Sequence, residues 1–458
     1  MLNRLHKGDI IELRIDNLAH GGDCVAHYQG LAVFLAGGIP GEKVKARVTL
    51  SKKNYARANI VEIIEPAVGR SEASCGVFRD CGGCHLQQME YSLQLKHKKQ
   101  MIKDLFERIG KLKDVNIKSV IGTDYPYSYR NKAQFPLAEN EEGEIITGFY
   151  KQGTHQLIAH GDCLIQHPLI NRVKDRVLTA LNRYKLTAYN EKKHQGLLRH
   201  LVIRIGTCTN QVLITLVTSR GDFPEIFEIA EDVIEDIPEI QGVLHNINPI
   251  KTNLILGKEM KIIKGQDYYI DYVGKVKFAI SAFSFFQVNT LQTKKLYDQV
   301  LKAAALRGGE TVVDAYCGIG TISLYIAQKA KQVYGLEEVA EAVSDARKNA
   351  ILNKIDNCQF EVGRVEELLP EMIASDIKAD LLIFDPPRKG LAEEVIEAVR
   401  SVLPEKIIYV SCNPATLARD LSYLKENYLI KEVQPVDMFP QTYHVETVVS
   451  LQLKEGIL

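Results

Sequence analysis

The sequence predicts an α/β protein in three parts. A small β-barrel spans 1–65, a mixed α+β region spans 66–285, and a Rossmann-like, doubly wound sheet spans 286–458. Three observations carry this. Strand and helix patterns alternate from about residue 286 onward, which implies a mostly parallel sheet. Apolar and polar residues alternate between glycine turns in the first part. The middle part keeps neither pattern throughout and opens on a crowd of cysteines, Cys75, Cys81 and Cys84.

In 1–65, Ile11, Leu13 and Ile15 alternate with polar residues. So do Leu31, Val33 and Leu35, then Val44, Ala46, Val48 and Leu50, which is the period of half-buried strands. Gly21-Gly22, Gly30, Gly37-Gly38 and Gly41 punctuate them. Short strands with glycine turns in so small a unit suggest a closed, OB-like barrel. The middle part predicts helices over 168–183 and 224–236 and strands over 201–205 and 212–217.

The last part predicts helix 290–305, strand 311–315, helix 319–330, strand 332–336, helix 339–353 and strand 359–362. A helical stretch near Glu366, strand 381–384, helix 392–402, strand 407–410 and helix 415–426 follow. Strands 430–436 and 446–453 have no helix between them, so an antiparallel hairpin on the sheet edge is expected.

Apolar residues make up 46% and charged residues 25% of the 458, which excludes disordered and fibrous classes. The longest apolar runs, such as 381–384 and 407–410, are too short to cross a bilayer. The start, Met1-Leu2-Asn3-Arg4, leads into polar residues without an apolar signal core, so a cytoplasmic protein is expected, as a monomer without membrane contact. Lys plus Arg (57) equals Asp plus Glu (57); a nucleic-acid ligand would need a local basic surface. Tryptophan is absent, so stacking on a base would fall to Tyr, Phe, His or Arg. Nine cysteines in such a chain point to thiols, metal ligands or nucleophiles rather than disulfides.

The segment Thr311-Val-Val-Asp-Ala-Tyr-Cys-Gly-Ile-Gly-Thr321 reads as strand, Gly-x-Gly turn and helix start. Gly318 and Gly320 let the backbone approach a ligand, at the strand ends where such sheets bind ligands. Glu337 ends the next strand, where a carboxylate can hold ribose hydroxyls of a dinucleotide or of S-adenosylmethionine. Ser323 stands where a dinucleotide fingerprint has its third glycine, which disfavours NAD. Strand 381–384 runs into Asp385-Pro-Pro-Arg388; the two prolines fix the chain and hold Asp385 at the ligand edge.

Strand 407–410 ends in Ser411-Cys412-Asn413-Pro414, and Pro414 opens a helix. A thiol near a helix N-terminus gains thiolate character, so Cys412 is the candidate nucleophile, while Cys317 and Cys358 are expected to be structural. Cys412 with Asp385-Pro-Pro suggests chemistry on uracil. C5 of uracil is a poor nucleophile until a thiolate adds to C6. A base must later remove the C5 proton. Glu446 and His444, expected on one strand face, are the candidates.

These motifs resemble the RNA (uracil-C5)-methyltransferase family. The resemblance rests on Phe-Phe-Gln-Val-Asn at 285–289, Asp-Ala-Tyr-Cys-Gly-Ile-Gly-Thr at 314–321 and Asp-Pro-Pro-Arg-Lys-Gly at 385–390. It continues in Ser-Cys-Asn-Pro-Ala-Thr-Leu-Ala-Arg-Asp at 411–420 and His-Val-Glu-Thr-Val at 444–448. It implies Cys412 as nucleophile and Glu446 as base. It also implies Gln287, Tyr316, Glu337 and Asp385 at the S-adenosylmethionine site. Tyr316 replaces a common Phe, and Thr321 stands where many members carry Asn.

Cys75-x5-Cys81-Gly-Gly-Cys84 with a remote fourth cysteine offers four soft ligands. An iron–sulfur cluster and zinc both accept such a set, and three clustered ligands plus one remote fit iron–sulfur better. The ribosomal-RNA branch of the resembled family carries a [4Fe–4S] cluster at this spacing. That resemblance implies Cys163, in His160-Gly-Asp-Cys163, as the remote ligand, and a TRAM domain over 1–65. Methylthiotransferases, which also join TRAM, S-adenosylmethionine and Fe–S, need a Cys-x3-Cys-x2-Cys loop that this chain lacks. A non-enzymatic RNA-binding Fe–S module would leave the C-terminal motifs unexplained.

Between His85 and Phe135 stand ten Lys/Arg against five Asp/Glu. Lys96, Lys98, Lys99, Lys103, Arg130 and Lys132, interleaved with Tyr125, Tyr127, Tyr129 and Phe135, form the expected RNA surface. The expected substrate is 23S ribosomal RNA, with a transfer-RNA T-loop uridine as the alternative. The target uridine is expected to flip out of a loop, because pairing hides C5 and C6.

Overall fold

The computed structural model describes residues 5–19, 21–374 and 377–457. Residues 1–4, which carry the polar start of the chain, lie outside the described residues. The chain divides into two compact units. One comprises residues 1–126, 386–392 and 409–458; the other comprises 127–385 and 393–408.

The first unit opens with strands β1 (Ile10–Leu18), β2 (Cys24–Tyr28), β3 (Leu31–Ala36), β4 (Lys43–Ser51) and β5 (Tyr55–Glu65). They close into a barrel in the order β1-β2-β3-β5-β4. Ile11, Leu13 and Ile15 point inward with Val33, Leu35, Val44, Ala46 and Val48, as their alternation requires. Cys24 lies inside the barrel, its thiol donating to Gly38 O at 3.1 Å and pushed up to about 12 by burial. It is a core residue. Helix α1 (Tyr91–Leu105) follows the cysteine loop.

The second unit has two sheets and a hairpin. Strands β6 (Lys132–Glu139), β7 (Ile145–Tyr150), β8 (Leu157–Ala159), β9 (Leu198–Ile205), β10 (Val212–Thr218), β11 (Ile240–Ile247) and β12 (Glu259–Gly265) form one sheet. Their order is β12-β11-β10-β9-β6-β7-β8. Helices α2 (Pro168–Leu181) and α3 (Ile226–Asp236) pack their apolar sides on one face of it through Ile170, Val173, Val177, Ile229 and Val233. Strands β13 (Tyr268–Val273) and β14 (Val276–Ser281) pair as a hairpin.

Helix α4 (Thr290–Ala304) then leads into parallel strands β15 (Thr311–Ala315), β16 (Gln332–Glu337), β17 (Cys358–Val362) and β18 (Leu381–Phe384), in the order β17-β16-β15-β18. Helices α5 (Thr321–Ile326), α6 (Ala340–Asn353), α7 (Val365–Ala374) and α8 (Glu393–Val402) alternate with them. The expected helix 319–330 is shorter: α5 ends at Ile326 and tightens into a 3₁₀ turn, Ala327–Lys329. All four β18 side chains are buried, as a strand covered on both faces should be.

Strand β19 (Lys406–Ser411) begins in the second unit and ends in the first. Helix α9 (Pro414–Leu424) and the antiparallel pair β20 (Tyr428–Val436) and β21 (Glu446–Leu453) complete the first unit. β21 lies between β19 and β20. The outer side of β20 is bridged by Ile117 and Ile121 through parallel contacts with Val433 and Val436. Among the described residues no helix is long and apolar enough to cross a membrane.

Candidate active site

In the second unit, three of the expected cofactor residues sit at the carboxyl ends of neighbouring parallel strands. Tyr316 follows β15, Glu337 ends β16 and Asp385 follows β18. Tyr316 holds φ at 68°, uncommon for a residue with a side chain. The turn is fixed because the Tyr316 and Cys317 amides donate to Leu336 O at 2.9 and 3.1 Å. Gly318 has φ 54°, and nothing lies within 4 Å of where a Cβ would project. That leaves an open cradle above the strand ends.

Glu337 accepts the Gly318 amide at 3.1 Å and the Val339 amide at 3.0 Å, one on each oxygen. A carboxylate has about four acceptor positions, so it retains capacity for ligand hydroxyls. These features fit the ribose side of S-adenosylmethionine.

Asp385 donates its amide to Ala315 O at 3.4 Å. Burial, and then the neighbouring Asp314, push its carboxyl up to about 7. Asp314, wholly buried in β15, is likewise pushed to about 7 by burial. One oxygen accepts the Ser323 hydroxyl, and the other has no hydrogen-bond partner. Asp314 opens the quoted 314–321 motif, yet the sequence reading gave it no role. A lone acidic residue inside an apolar strand was the available signal.

Gln287 is buried on the loop ahead of α4, 6% exposed. Asn131 Nδ2 donates to Gln287 O at 2.9 Å and to Thr290 Oγ1 at 3.0 Å, and the Asn131 amide donates to Val288 O at 2.9 Å. Thr290 in turn donates to Asp271 at 2.8 Å. Asn131, Thr290 and Asp271 thus fix this loop from one side.

In the first unit, Cys412 is half-buried, one residue ahead of the α9 cap. Asn413 Oδ1 accepts the Ala415 amide at 3.1 Å, and Asn413 Nδ2 donates to Arg388 O at 3.0 Å. Thr416 Oγ1 also donates to Arg388 O, at 3.2 Å. Asp420 accepts the Leu391 amide at 2.8 Å and the Tyr409 hydroxyl at 2.7 Å. The segment 386–392 is thereby held on α9 beside the turn that carries Cys412. Gly390, φ 76°, is required there, since a Cβ would stand 2.5 Å from Asp420 Oδ2.

Glu446 opens β21 and is 2% exposed. By itself a strand glutamate reads as a surface residue; this one is buried. His444 does not share its strand face, because β21 starts at Glu446. The His444 ring packs instead on Tyr443 and Phe439, with centroids 4.1 and 5.8 Å apart. Cys412 and Glu446 therefore belong to one unit, at the end of β19 and the start of the adjacent β21.

Cys75, Cys81 and Cys84 are half-buried in the loop before α1. The Gly83 amide donates to Cys81 Sγ at 3.4 Å, and the Cys75 amide donates to Gln87 Oε1 at 3.2 Å. Burial raises the Cys81 thiol, and Cys75 adds to the rise. Cys163 lies in the second unit, clamped by Asn171 through two bonds of 3.2 Å. Among the described residues no group of three or more His, Cys, Asp or Glu side chains is gathered to hold a metal ion.

The expected RNA surface is smaller than the charge run suggested. Lys98 is wholly buried, Phe135 belongs to the core of the second unit, and Tyr129 is 8% exposed. Tyr125, at 81%, remains exposed.

Comparison with known proteins adds three findings. Residues 90–454 match the family described as tRNA (Uracil-5-)-methyltransferase, and residues 4–61 match the TRAM domain. An uncharacterised RNA methyltransferase of Halalkalibacterium halodurans is 46% identical over 451 residues, covering 98% of both chains. One of Clostridium tetani is 43% identical over 444 residues, covering 97% of this chain and 96% of its own. Among solved structures, Pyrococcus abyssi tRNA (uracil-54, C5)-methyltransferase in complex with S-adenosyl-L-homocysteine is similar at a TM-score of 0.76 and 26% identity. That match covers 96% of this chain and 100% of the other.

Proposed function

Because the chain belongs to the tRNA (uracil-5-)-methyltransferase family, we propose that it methylates C5 of a uridine in 23S ribosomal RNA, with Cys412 as nucleophile and Glu446 as base. The observation that carries this reading is the pairing of Cys412, just ahead of a helix cap, with buried Glu446 on the adjacent strand.

S-adenosylmethionine, when bound, supplies an electrophilic methyl group. Gln287, Tyr316, Glu337 and Asp385 are the residues that would hold it. The Cys412 thiolate forms a bond to C6, and the electron pair of the C5–C6 double bond moves toward C5 and O4. C5 would then take the methyl group as the bond from the methyl carbon to the donor's sulfonium sulfur breaks, with S-adenosylhomocysteine as the leaving group. The Glu446 carboxylate removes the remaining C5 proton. Its electron pair rebuilds the double bond, the C6–S bond breaks, and Cys412 leaves as thiolate.

Cys75, Cys81, Cys84 and Cys163 are proposed ligands of a structural [4Fe–4S] cluster, on the strength of their all-cysteine chemistry and spacing. No step of the reaction passes through it. We place the reaction in the cytoplasm, performed by a monomer.

A second reading, methylation of a transfer-RNA T-loop uridine, is favoured by the likeness to the Pyrococcus abyssi enzyme. Mass spectrometry of 5-methyluridine in 23S and transfer RNA from a deletion strain separates the two. Loss from 23S RNA alone supports the first, and loss from transfer RNA alone replaces it with the second. No loss from either, with no methylation of isolated RNA by the purified enzyme, overturns both.

A further inference from the structure

On the face of the β6–β9 ladder turned away from its apolar core, Lys132 stands directly opposite Arg204. Their neighbours Ala133 and Ile203 point the other way, into that core. Arg204 is 3% exposed, and its Nη2 donates to Ala282 O at 2.8 Å. Its remaining polar partner is the wholly buried Tyr269 hydroxyl, and its Nε has none. The Lys132 side chain has no hydrogen bond or ion pair among the described residues, and the one charge that acts on it is Arg204.

Two cations face each other across one ladder, and among the described residues no carboxylate acts on Lys132. Burial, and then Arg204, lower the Lys132 ammonium to about 7. An uncompensated pair of this kind is costly in isolation and favourable once an anion arrives.

The surroundings indicate which anion. Arg204 anchors the loop 282–289 at Ala282, and Asn131, next to Lys132, anchors it at Gln287 and Val288. Between those anchors Phe283 and Phe285 are 52% and 71% exposed. Exposed aromatics on a loop whose ends are anchored by Arg204 and by the neighbour of Lys132 suit a single strand, whose bases stack while its phosphates are neutralised. A methionine carboxylate would use the cation but leave the aromatics without a role.

We propose that Lys132, backed by Arg204, binds a backbone phosphate of the substrate RNA. This rests on the RNA-methyltransferase reading above.

The test measures binding of a fluorescein-labelled single-stranded oligouridylate between about 50 and 200 mM salt. Each phosphate contact to a single strand contributes about 0.7 to the slope of log K against log salt. Lys132→Gln should lower that slope by about 0.7, Lys132→Arg should retain it, and both should bind S-adenosylhomocysteine as the wild type does. An unchanged slope in Lys132→Gln overturns the proposal. So does a loss of S-adenosylhomocysteine affinity in place of RNA affinity, which would assign the cation to the donor's carboxylate. A slope lost equally in Lys132→Arg also overturns it. Formation of 5-methyluridine by the wild type is scored separately, so failure of the parent reading would not be mistaken for failure of this one.

Discussion

The Lys98 ammonium donates to the Asp437 carboxylate at 2.6 Å, with both side chains wholly buried. Lys98 also donates to Phe439 O at 3.2 Å, while Asp437 accepts the Tyr91 hydroxyl at 3.0 Å and the Phe439 amide at 3.2 Å. Beside it Gln94 Nε2 donates to Gln441 Oε1 at 3.0 Å, and the Gln441 amide donates back to Gln94 Oε1 at 3.2 Å. Gln441 is held at φ 68°. Helix α1 thus grips the 437–445 loop that delivers Glu446. Removing one charge strands the other, a loss of about 3–5 kcal/mol. Asp437→Asn should lower the urea midpoint accordingly, and adding Lys98→Met should recover much of it. A single variant as stable as the wild type would count against this role.

This pair also shows where sequence reasoning stopped. Lys98 sits in a basic run and reads as surface; its partner lies 339 residues away, and no local pattern announces it. Phe135, read as an RNA contact, follows the period of a strand whose inward face is core. The barrel and the parallel strands were legible because alternation and glycine turns are local signals. The place of Cys412 ahead of a helix was legible because Asn413-Pro414 marks a helix start. The burial of Glu446 was not, because it depends on the strands that flank it. Asp314 lay inside a quoted motif, but its carboxyl is distinctive only once desolvated.

Cys412→Ala should reduce methylation below detection and abolish any covalent RNA adduct. Binding of S-adenosylhomocysteine, measured by calorimetry, should persist, because the expected donor residues lie on other elements. Methylation at near the wild-type rate would remove Cys412 from the mechanism.

Protein purified anaerobically should contain iron and sulfide, and Cys81→Ser should lose both. The ligands proposed are all cysteines, so no iron site is left open for chemistry, and the metal should affect stability more than the methyl-transfer step. Stoichiometric zinc without iron would refute the cluster.

Asp314 should impose a pH signature on stability. Its folded carboxyl titrates near 7, well above an unfolded Asp at about 4. Between those values the native state binds more protons, so this group makes stability fall as pH rises, with no further change above 7. Half-buried His85 and His200 and buried His245, each lowered to about 4 chiefly by desolvation, act in the opposite sense from about 4 to 6.5. The informative quantity is therefore the variant-minus-wild-type difference. Asp314→Asn should gain relative stability steadily from pH 4 to 7 and then level off; a flat difference would show that Asp314 is ionised throughout.

Glu446 acts, on the proposed sequence, only after the methyl group has moved. C5 then holds both methyl and proton, and the C6–S bond cannot break until the proton leaves. Glu446→Gln keeps the shape and most hydrogen bonds of the buried side chain but cannot accept a proton at working pH. Thiolate addition and methyl transfer should survive while release slows by at least the 10²–10⁴-fold that positioned bases contribute. Methylated RNA should accumulate as a slow-migrating band that resists denaturation, and the band should be absent when Cys412→Ala is added. The ring of His444 packs on Tyr443 and Phe439 rather than on the strand face of Glu446, so His444→Gln should release product at close to the wild-type rate. If Glu446→Gln turned over freely and His444→Gln trapped the adduct, the base would be His444, and the burial of Glu446 at the head of β21 would need a structural explanation.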